Sequence, residues 1–562
     1  MGEGVLWASV RGEMGGKQGS GRMRKLDVSG QAALPLNLPV ATPSPSRIDN
    51  IKFLNPNPHS LCIGSSFLFD LMSHKNNQWI IDFRVILQEL SWESFCQKYK
   101  PLGRNPYHPS VIVGLILLSH ILGRTSLRQI EEMCQNDIRS WWISGGLMPD
   151  HTTFSKFMIK HQEDLTETTF EDMTKLILQK LKSHSRVVAL DGTLVQSASS
   201  RYRVLKQEAI ESLTKIYQEK LASEKVESEI QKIKSKIKNL QHANQELSRR
   251  NQERHDKGKE GQTKISIQDQ DSYYQPLKDG CVALSYKPSI ASNQDRIIVG
   301  HDVHPSSEQD QVFKIIEQAQ RMTQNQIESV VADSNYNCGE VIDVMNHQSI
   351  ELLSPNKKES SRMKGKEKTQ IDKHCFVYHP EDDVYICPAG RRLTKNHVYK
   401  GNAKNQSYTM YKSINCEGCP FKDRCLSNPQ KPRSIKRYSW DAQKEIIKSK
   451  MMLEENQKLY RKRSAWVEPV HGEQKNIQGM KRFRRITLNK VKMEYSIHCT
   501  SHNLRRYFIL KSGLTHGQGV GSLGGPMPAQ ARPGRILAAP MTTNPARTRS
   551  TRRSWSPRYL AA

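Results

Sequence analysis

Two aspartates each stand at the end of a short run rich in β-branched residues. Asp191 ends the run Arg186–Asp191, and Asp333 ends the run Ser329–Asp333. Runs of this length and composition are typical of buried strands. A single strand-end aspartate often only caps the next turn, but two of them can supply two carboxylates to one site. The sequence therefore predicts paired carboxylates at the C-terminal ends of two neighbouring strands.

A third group of charged residues lies closer to the C-terminus, in a stretch otherwise predicted to be helical. Its order is Tyr460, Arg463, Glu468 and Lys475, with four residues between the arginine and the glutamate. At this spacing a carboxylate and basic groups can face the same site. Because the residue before a proline is pushed away from helical dihedrals, Glu468 is predicted to start a helix with Pro469 in its first turn.

The chain resembles the DDE transposases of bacterial insertion sequences, whose Tyr–Arg–Glu–Lys signature has this order and nearly this spacing. The resemblance covers most of residues 80–510, through the segments GRNPYHPSVIVGLILL, SLRQIEE, GLMPDHTTFSKF, LDGT, VVADSNY and KVKMEYSIHCTSHNLRRYF. The commonest form of the signature has three residues between arginine and glutamate, and in this chain Pro469 also follows Glu468 directly, so Glu473 is a rival third carboxylate. We favour Glu468 because only Glu468 has a lysine, Lys475, seven residues later.

The resemblance implies an α/β fold: an RNase H-like catalytic core in which Asp191, Asp333 and Glu468 hold two divalent ions. In such chemistry one metal activates water or a 3′-hydroxyl, and the other stabilises the leaving oxygen. Carboxylates suit Mg²⁺ or Mn²⁺. The implied activity is hydrolysis of phosphodiesters followed by strand transfer. Two alternatives remain open: a catalytically inactive DNA-binding relic, and an RNase H-like nuclease that does not transpose.

The implied partner is double-stranded DNA, both the terminal inverted repeats of the element and the target, on which the protein can act as a homo-oligomer. Tyr460, Arg463 and Lys475 are expected to contact DNA phosphates or the metal-bound carboxylates; the alternative is solvated charge on a helix face. A basic and aromatic cluster follows the predicted site helix and is positioned to meet a DNA backbone: Arg482, Arg484 and Arg485 beside Phe483. Phosphate contacts of this kind give affinity without sequence specificity.

A group of cysteines lies between Asp333 and Glu468. Its members are Cys387, Cys416, Cys419 and Cys425, with Cys375 upstream. A CxxC pair with two flanking cysteines can form a tetrahedral zinc site, and zinc with four thiolate ligands has a structural role. The alternative is a set of reduced structural cysteines. The odd total of 11 cysteines argues against a disulfide framework.

Composition limits the class of protein that can carry these residues. The 562 residues include 85 Lys and Arg against 56 Asp and Glu, which gives a net charge of +29. This charge favours a polyanionic partner and argues against an ordinary acidic metabolic enzyme. The longest apolar run, 111–123, is too short to span a bilayer, so no transmembrane helix is expected. The N-terminus lacks the pattern of a secretory signal, and a cytoplasmic, nucleoid-associated protein is expected.

The elements that position these residues are predicted as a series of segments. An all-α N-terminal domain covers 68–180, and its features include a capping box from Ser126 to Gln129. Hydrophobic residues at three-four spacing predict a helical insertion over 203–260. The predicted order is a disordered segment 1–67, the all-α domain 68–180, the RNase H-like domain 181–510 with its helical insertion 203–260 and a charged and Cys-rich insert 356–430, and a basic disordered tail 511–562. The tail contains seven arginines and no acids after Gly513, and could equally be translated sequence outside the original gene.

Overall fold

The computed structural model describes the larger part of the chain. It covers residues 53–54, 57–63, 66–73, 77–101, 105–200, 202–253, 263–277, 280–324, 326–356, 371–401, 407–428 and 430–512. The predictions made for residues 1–52, for residues 357–370 of the charged and Cys-rich insert and for the tail after 512 lie outside the described residues.

The N-terminal part is helical, as the sequence predicts. Its helices are α1 (Leu68–Met72), α2 (Gln78–Glu89), α3 (Glu93–Cys96), α4 (Pro109–Ile121), α5 (Leu127–Asn136), α6 (Ile138–Ser144), α7 (His151–Lys160), α8 (Gln162–Thr166) and α9 (Thr168–Leu181). The capping box is confirmed: Gln129 N–H donates to the Ser126 hydroxyl, and Ser126 N–H donates to the Gln129 side chain. Helix α4 is buried on all sides, which explains why its sequence is mostly apolar. In the described part of the chain, no helix has both the length and the apolar character needed to cross a membrane.

Ordered structure begins before the predicted boundary at residue 67. A short 3-10 helix, Pro58–Ser60, leads into a hairpin of β1 (Cys62–Ile63) and β2 (Ser66–Phe67). The Asn57 side chain caps the 3-10 helix, and Leu61 packs against the main hydrophobic core. The prediction of disorder up to residue 67 is therefore wrong for this segment, because a few apolar contacts attach it to the helical domain.

The central element is a seven-stranded mixed sheet. Its strands are β3 (Val187–Gly192), β4 (Val195–Gln196), β7 (Tyr273–Pro276), β8 (Val282–Ser292), β9 (Ile298–His304), β10 (Ser329–Ala332) and β11 (Glu351–Leu353). Strand β10 pairs in parallel with both β3 and β11. Strand β8 pairs antiparallel with β3 and β9, and its first half also pairs with β4 and β7. The result is an α/β core of parallel and antiparallel strands.

Two insertions extend from this core. The first contains α10 (Gln207–Ser223) and α11 (Glu227–Glu253), flanked by the paired strands β5 (Val204–Leu205) and β6 (Ile265–Ser266), in agreement with the predicted helical insertion. The second is a five-stranded antiparallel sheet of β12 (Val377–His379), β13 (Val384–Ile386), β14 (Arg392–Tyr399), β15 (Tyr408–Ser413) and β16 (Ser434–Tyr438), with the short helix α14 (Lys422–Cys425). This insert extends beyond its predicted end at residue 430 because β16 pairs with β15.

The remaining helices pack on the central sheet or join it to the N-terminal domain. They are α12 (Val312–Met322), α13 (Gly339–His347), α15 (Asp441–Met452), α16 (Glu454–Asn476) and α17 (Leu488–Lys511). Helix α17 is buried along most of its length and contacts α4, α8, α9 and β9. Its Asn503 exchanges two hydrogen bonds with the backbone of Ile298, both at 2.8 Å. The Asn503 side chain thus pairs with both backbone hydrogen-bonding groups of Ile298 and links α17 to β9.

One glycine shows how closely a helix approaches the sheet. A Cβ at Gly300 in β9 would collide with the backbone carbonyl oxygen of Ile315 in α12. We expect Gly300→Ala to lower the free energy of unfolding by about 1–3 kcal/mol, because the overlap involves backbone that cannot turn aside. The control is Gly472→Ala in α16, where an added Cβ meets nothing within 4 Å and should raise stability by about 0.5–1 kcal/mol. Thermal unfolding midpoints compare the two, and equal midpoints would contradict the close packing.

Candidate active site

The two predicted aspartates lie side by side. In the parallel pair of β3 and β10, Leu190 is opposite Ala332. Asp191 is the next residue of β3, Asp333 directly follows β10, and neighbouring strands are about 4.8 Å apart. The prediction that the two aspartates stand at the C-terminal ends of neighbouring strands is confirmed.

Helix α16 lies across Asp191. The Arg463 Nη1 atom is 3.3 Å from Asp191 Oδ1, and the His471 Nε2 atom is 3.6 Å from Asp191 Oδ2. The Asp191 side chain is 19% exposed, so part of it remains open to solvent. The arginine therefore contacts one of the two predicted aspartates.

Asp333 ends its strand in a tight turn. Its Oδ1 atom accepts a hydrogen bond from the Asn335 backbone N–H at 2.8 Å, and its carbonyl accepts one from the Ser354 hydroxyl at 2.7 Å. Tyr460 of α16 lies near both aspartates: burial raises the pKa of its phenol, Arg463 opposes this effect, and the carboxylates add to it. The structure thus brings Tyr460 to the same site.

Lys475 fastens the last turn of α16 to the end of β3. Its ammonium group donates to the Thr193 hydroxyl at 2.5 Å and to the Leu194 carbonyl at 3.1 Å. These acceptors begin two residues after Asp191, so the lysine connects the C-terminal end of α16 to the end of β3.

The prediction that a helix starts at Glu468 is wrong. Helix α16 runs from Glu454 to Asn476, with Pro469 inside it. Proline has no N–H, so the carbonyl four residues earlier, at Ala465, loses its helical partner. Arg296 Nε donates to that carbonyl at 2.8 Å and replaces the missing bond. Arg296, in the connection between β8 and β9, therefore supplies the hydrogen bond that the helix lacks at the proline.

The two candidate glutamates lie in different environments. Glu473 is largely buried, 3.0 Å from His502 and 3.7 Å from Arg505 of α17. Burial pushes the pKa of Glu473 up, but these cationic partners outweigh it and the pKa is lowered. Glu473 is therefore part of an internal ion pair, whereas Glu468 is exposed on α16.

The arginine cluster after α16 has structural contacts that the sequence does not reveal. Arg482 donates to the carbonyls of Ser197, Ala198 and Ser199. The backbone N–H groups of Arg484 and Arg485 donate to the buried Glu494 carboxylate, and burial raises the pKa of Glu494 to about 7 despite these bonds. Arg484 itself is exposed and donates from Nε to Thr125 at 2.9 Å. The loop joins the sheet, α17 and the N-terminal domain.

Sequence reasoning missed two residues at this site. His471 contacts Asp191, and Glu308 packs against Gly192, the residue after Asp191. Glu308 lies in the polar stretch SSEQDQ, which has no strand or helix period and no motif, so no signal in the sequence marks it. His471 could have been found only by extending the helix through Pro469.

The four predicted zinc ligands line one pocket of the second insert: Cys387, Cys416, Cys419 and Cys425. Backbone N–H groups donate to two of the sulfurs, Arg391 to Cys387 at 3.3 Å and Arg433 to Cys416 at 3.4 Å. Two turn glycines near these cysteines, Gly390 and Gly418, have left-handed φ values of 74° and 63°. Cys375 packs against the hydrophobic core of the insert and does not line the pocket.

Neither the aspartate pair nor the cysteine group forms a complete set of metal ligands in the part of the chain that the structure describes. Among the residues that the structure describes, no group of three or more His, Cys, Asp or Glu side chains is arranged to hold a metal ion. At the aspartate pair, Arg463 and His471 lie against Asp191. At the cysteines, Cys387, Cys416, Cys419 and Cys425 line the same pocket.

The fold and the site define a mixed α/β protein with an acidic site at strand ends. Two family models match it: a Transposase DDE domain over residues 386–508, and a Transposase domain (DUF772) over residues 70–160. These two segments of the chain are thus similar to transposase domains, one of them of the DDE type. The first match includes Glu468, whereas Asp191 and Asp333 lie outside both matched regions. No curated protein matches the chain.

The two glutamates can be separated by stability. We expect Glu473→Gln to lower the free energy of unfolding by about 3–5 kcal/mol, because His502 and Arg505 would remain buried without a counter-charge. Glu468→Gln should change it by less than about 0.5 kcal/mol, as for other exposed positions. Urea unfolding of both variants measures the difference. A stable Glu473→Gln protein would show that the internal ion pair has no structural role.

Proposed function

We propose that this chain is a DNA transposase with an RNase H-like core, which cleaves phosphodiesters and transfers strands at the ends of an insertion sequence. The observation that carries the proposal is the in-register parallel pairing of β3 and β10, which puts Asp191 and Asp333 side by side. The sheet, with parallel strands β3, β10 and β11 and antiparallel β8 and β9, is of the mixed type that the resemblance implies.

The donor set fits a hard divalent cation. Asp191 and Asp333 supply oxygen ligands from adjacent strands, and Mg²⁺ and Mn²⁺ prefer such ligands. Glu468 is the third ligand in this proposal; it is exposed on the helix that crosses the site. When bound, the ions would activate the attacking oxygen and stabilise the leaving one.

The residues around the carboxylates have positioning roles in this proposal. Arg463 offsets the negative charge of Asp191 at 3.3 Å, and Lys475 holds the end of β3 through Thr193. Both cations lie where a DNA phosphate would approach the aspartates, so they would also contact the substrate backbone. Arg484, exposed on the following loop, extends the basic surface.

The proposed substrate is double-stranded DNA, the terminal inverted repeats and the target, in the cytoplasm at the nucleoid. The net charge of +29 supports a polyanionic partner. Action as a homo-oligomer on DNA belongs to the same proposal, because two element ends must be cleaved and joined.

Neutralising either aspartate tests the chemistry. We expect Asp191→Asn and Asp333→Asn each to reduce cleavage of labelled element ends in Mg²⁺ by at least about a hundredfold, since each variant loses an oxyanion ligand of the metal. DNA binding measured by filter retention should stay within about twofold, because a site carboxylate makes no favourable contact with phosphate.

The controls distinguish the alternatives. Asp310→Asn changes an exposed aspartate and should cleave at the wild-type rate. Glu468→Gln should lose cleavage while Glu473→Gln, compared at equal folded fraction, keeps it. Binding without cleavage by the wild-type protein would favour an inactive relic, and cleavage without joining would favour a nuclease. Full cleavage by either Asn variant at position 191 or 333 would refute the assigned site.

We also propose that Cys387, Cys416, Cys419 and Cys425 hold one structural zinc ion. All four line one pocket, and two of the sulfurs already accept backbone N–H bonds, which stabilise thiolates. Four thiolates leave no open position for water, so the ion would stabilise the insert and take no part in phosphate chemistry.

Elemental analysis tests this proposal on protein purified without a chelator. We expect one zinc per chain, its loss in Cys416→Ser and Cys419→Ser, and a lower melting midpoint on chelation, because metal binding contributes folding free energy. The control is Cys62→Ser, an exposed cysteine far from the insert in sequence. Wild-type protein without zinc would support the alternative of reduced structural cysteines.

A further inference from the structure

Three tyrosines form a row across the sheet of the second insert. Tyr399 of β14, Tyr408 of β15 and Tyr438 of β16 are direct partners in the register of these strands. The ring centroids of Tyr399 and Tyr408 are 5.0 Å apart, and those of Tyr408 and Tyr438 are 5.7 Å apart. Each of the three tyrosines is partly exposed. The row is therefore an aromatic strip that solvent reaches.

The hydrophobic core of the insert lies on the other face of this sheet. Tyr411 and Ile435 are buried in that core. Because side chains alternate between the two faces along a strand, Tyr408 and Tyr438, each three residues away, lie on the opposite face. The tyrosine row is therefore separate from the core that folds the insert.

A β-bulge brings Tyr399 into the row. Leu393 of the same strand is buried in the core of the insert, and simple alternation would place Tyr399 on that face too. The register of β14 against β15 shifts between Lys395 and His397, which moves the rest of the strand to the opposite alternation. The irregularity therefore places a third ring beside the other two.

The three strands that carry the row have a one-sided charge. They contain five Lys and Arg and no Asp or Glu: Arg392, Lys395, Lys412, Lys436 and Arg437. Lys412 and Lys436 are exposed, and their even spacing from Tyr408 and Tyr438 puts them on the face of the row. The Lys436 Nζ atom is 4.5 Å from the centre of the Tyr408 ring. This face therefore combines aromatic rings with charge that complements phosphate.

The row ends against the helix that follows Asp333. The Trp440 ring stacks on Tyr438, with centroids 5.5 Å apart and planes 4° from parallel. Trp440 also packs on Gly339, the first residue of α13, where an added Cβ would lie 2.7 Å from the indole ring. Helix α13 is the first helix after Asp333. The row therefore extends outward from an element that adjoins the candidate active site.

We propose that this face binds single-stranded DNA, with bases stacked on Tyr399, Tyr408 and Tyr438 and phosphates beside Lys412 and Lys436. Every base has a flat face that can stack on an aromatic ring, and basic side chains follow the backbone of the strand. The bases of a duplex already stack on one another, so the ligand is an unpaired strand. The inference goes beyond the cleavage of double-stranded DNA and rests on the proposed function only for the choice of DNA over RNA.

The competing role of the row is structural. Aromatic pairs across neighbouring strands stabilise a sheet without any ligand. The experiment must therefore separate binding of a strand from folding of the insert.

Binding of a short oligothymidylate tests the proposal without any cleavage. A fluorescein-labelled strand of about 12 nucleotides is titrated with the full-length protein and followed by fluorescence anisotropy. We expect Tyr399→Leu and Tyr408→Leu each to weaken binding by at least about fivefold, the lower end of the effect of losing one base–aromatic stack. The matched control is Tyr274→Leu in β7, a tyrosine of the central sheet that is 38% exposed, and it should bind like the wild type.

A second variant at the same position separates stacking from folding. Tyr408→Phe keeps the ring and should bind the strand like the wild type, and thermal melting shows whether the Leu variants are folded. If folded Tyr408→Leu binds with wild-type affinity, the row is structural and the inference is overturned. An equal loss of binding in Tyr408→Phe and Tyr408→Leu would overturn it too, because the ring would not be the cause.

The phosphate contact has its own measurement, which leaves the tyrosines intact. We expect Lys436→Gln to reduce the slope of log affinity against log salt concentration by about 0.7, the value for one phosphate of a single strand. An unchanged slope would contradict the placement of the backbone beside Lys436.

Two further ligands decide the form of nucleic acid. The Leu variants should bind a duplex of the same length within about twofold of the wild type, because phosphate contacts elsewhere hold it. An equal loss for duplex and single strand would overturn the inference, and so would tighter binding of oligouridylate than of oligothymidylate, which would assign the face to RNA.

Cleavage by Asp191→Asn shows which proposal has failed. If Asp191→Asn abolishes cleavage while the Leu variants bind the strand normally, only the tyrosine row is refuted. If Asp191→Asn cleaves normally while the Leu variants lose the strand, the active-site assignment fails and the tyrosine row stands.

Discussion

The candidate site depends on the parallel pairing of β3 with β10. Strands in parallel end at the same edge of a sheet, so the residues that follow Leu190 and Ala332 must lie next to each other. An antiparallel pair would place the two aspartates at opposite edges. The antiparallel neighbour β8 has a different role: it supplies Ile290 and Ser289 opposite Asp191 and Gly192 and closes the other side of β3.

Helix α16 crosses this edge with a proline in its interior, and a residue of another element supplies the hydrogen bond that the proline removes. Pro469 would normally end or kink a helix, and the Arg296 guanidinium compensates by donating to the Ala465 carbonyl. On the far side, Glu473 pairs with His502 of the buried helix α17. The same helix thus offers Arg463 to the site and anchors itself in the core, and its two glutamates have unlike roles for that reason.

Charge balance connects the site with the composition of the chain. Arg463 and His471 lie near the Asp191 carboxylate, and Lys287 lies near the Glu308 carboxylate. Close carboxylates repel one another, and the neighbouring cations reduce that repulsion in the absence of a metal. The chain as a whole has an excess of basic groups too, with a net charge of +29.

The sequence by itself determined the local features: the strands before Asp191 and Asp333, the capping box at Ser126 and the helical insertion. Each depends on neighbours in the chain, through side-chain periodicity or a turn of helix. Only the tertiary structure decided that helix α16 continues through Pro469, that Glu473 is internal, that Arg482 binds three carbonyls and that Glu308 lies against Gly192. These depend on contacts between residues far apart in the chain, such as Arg296 with Ala465, and no local pattern encodes which distant group will satisfy a given backbone atom or charge.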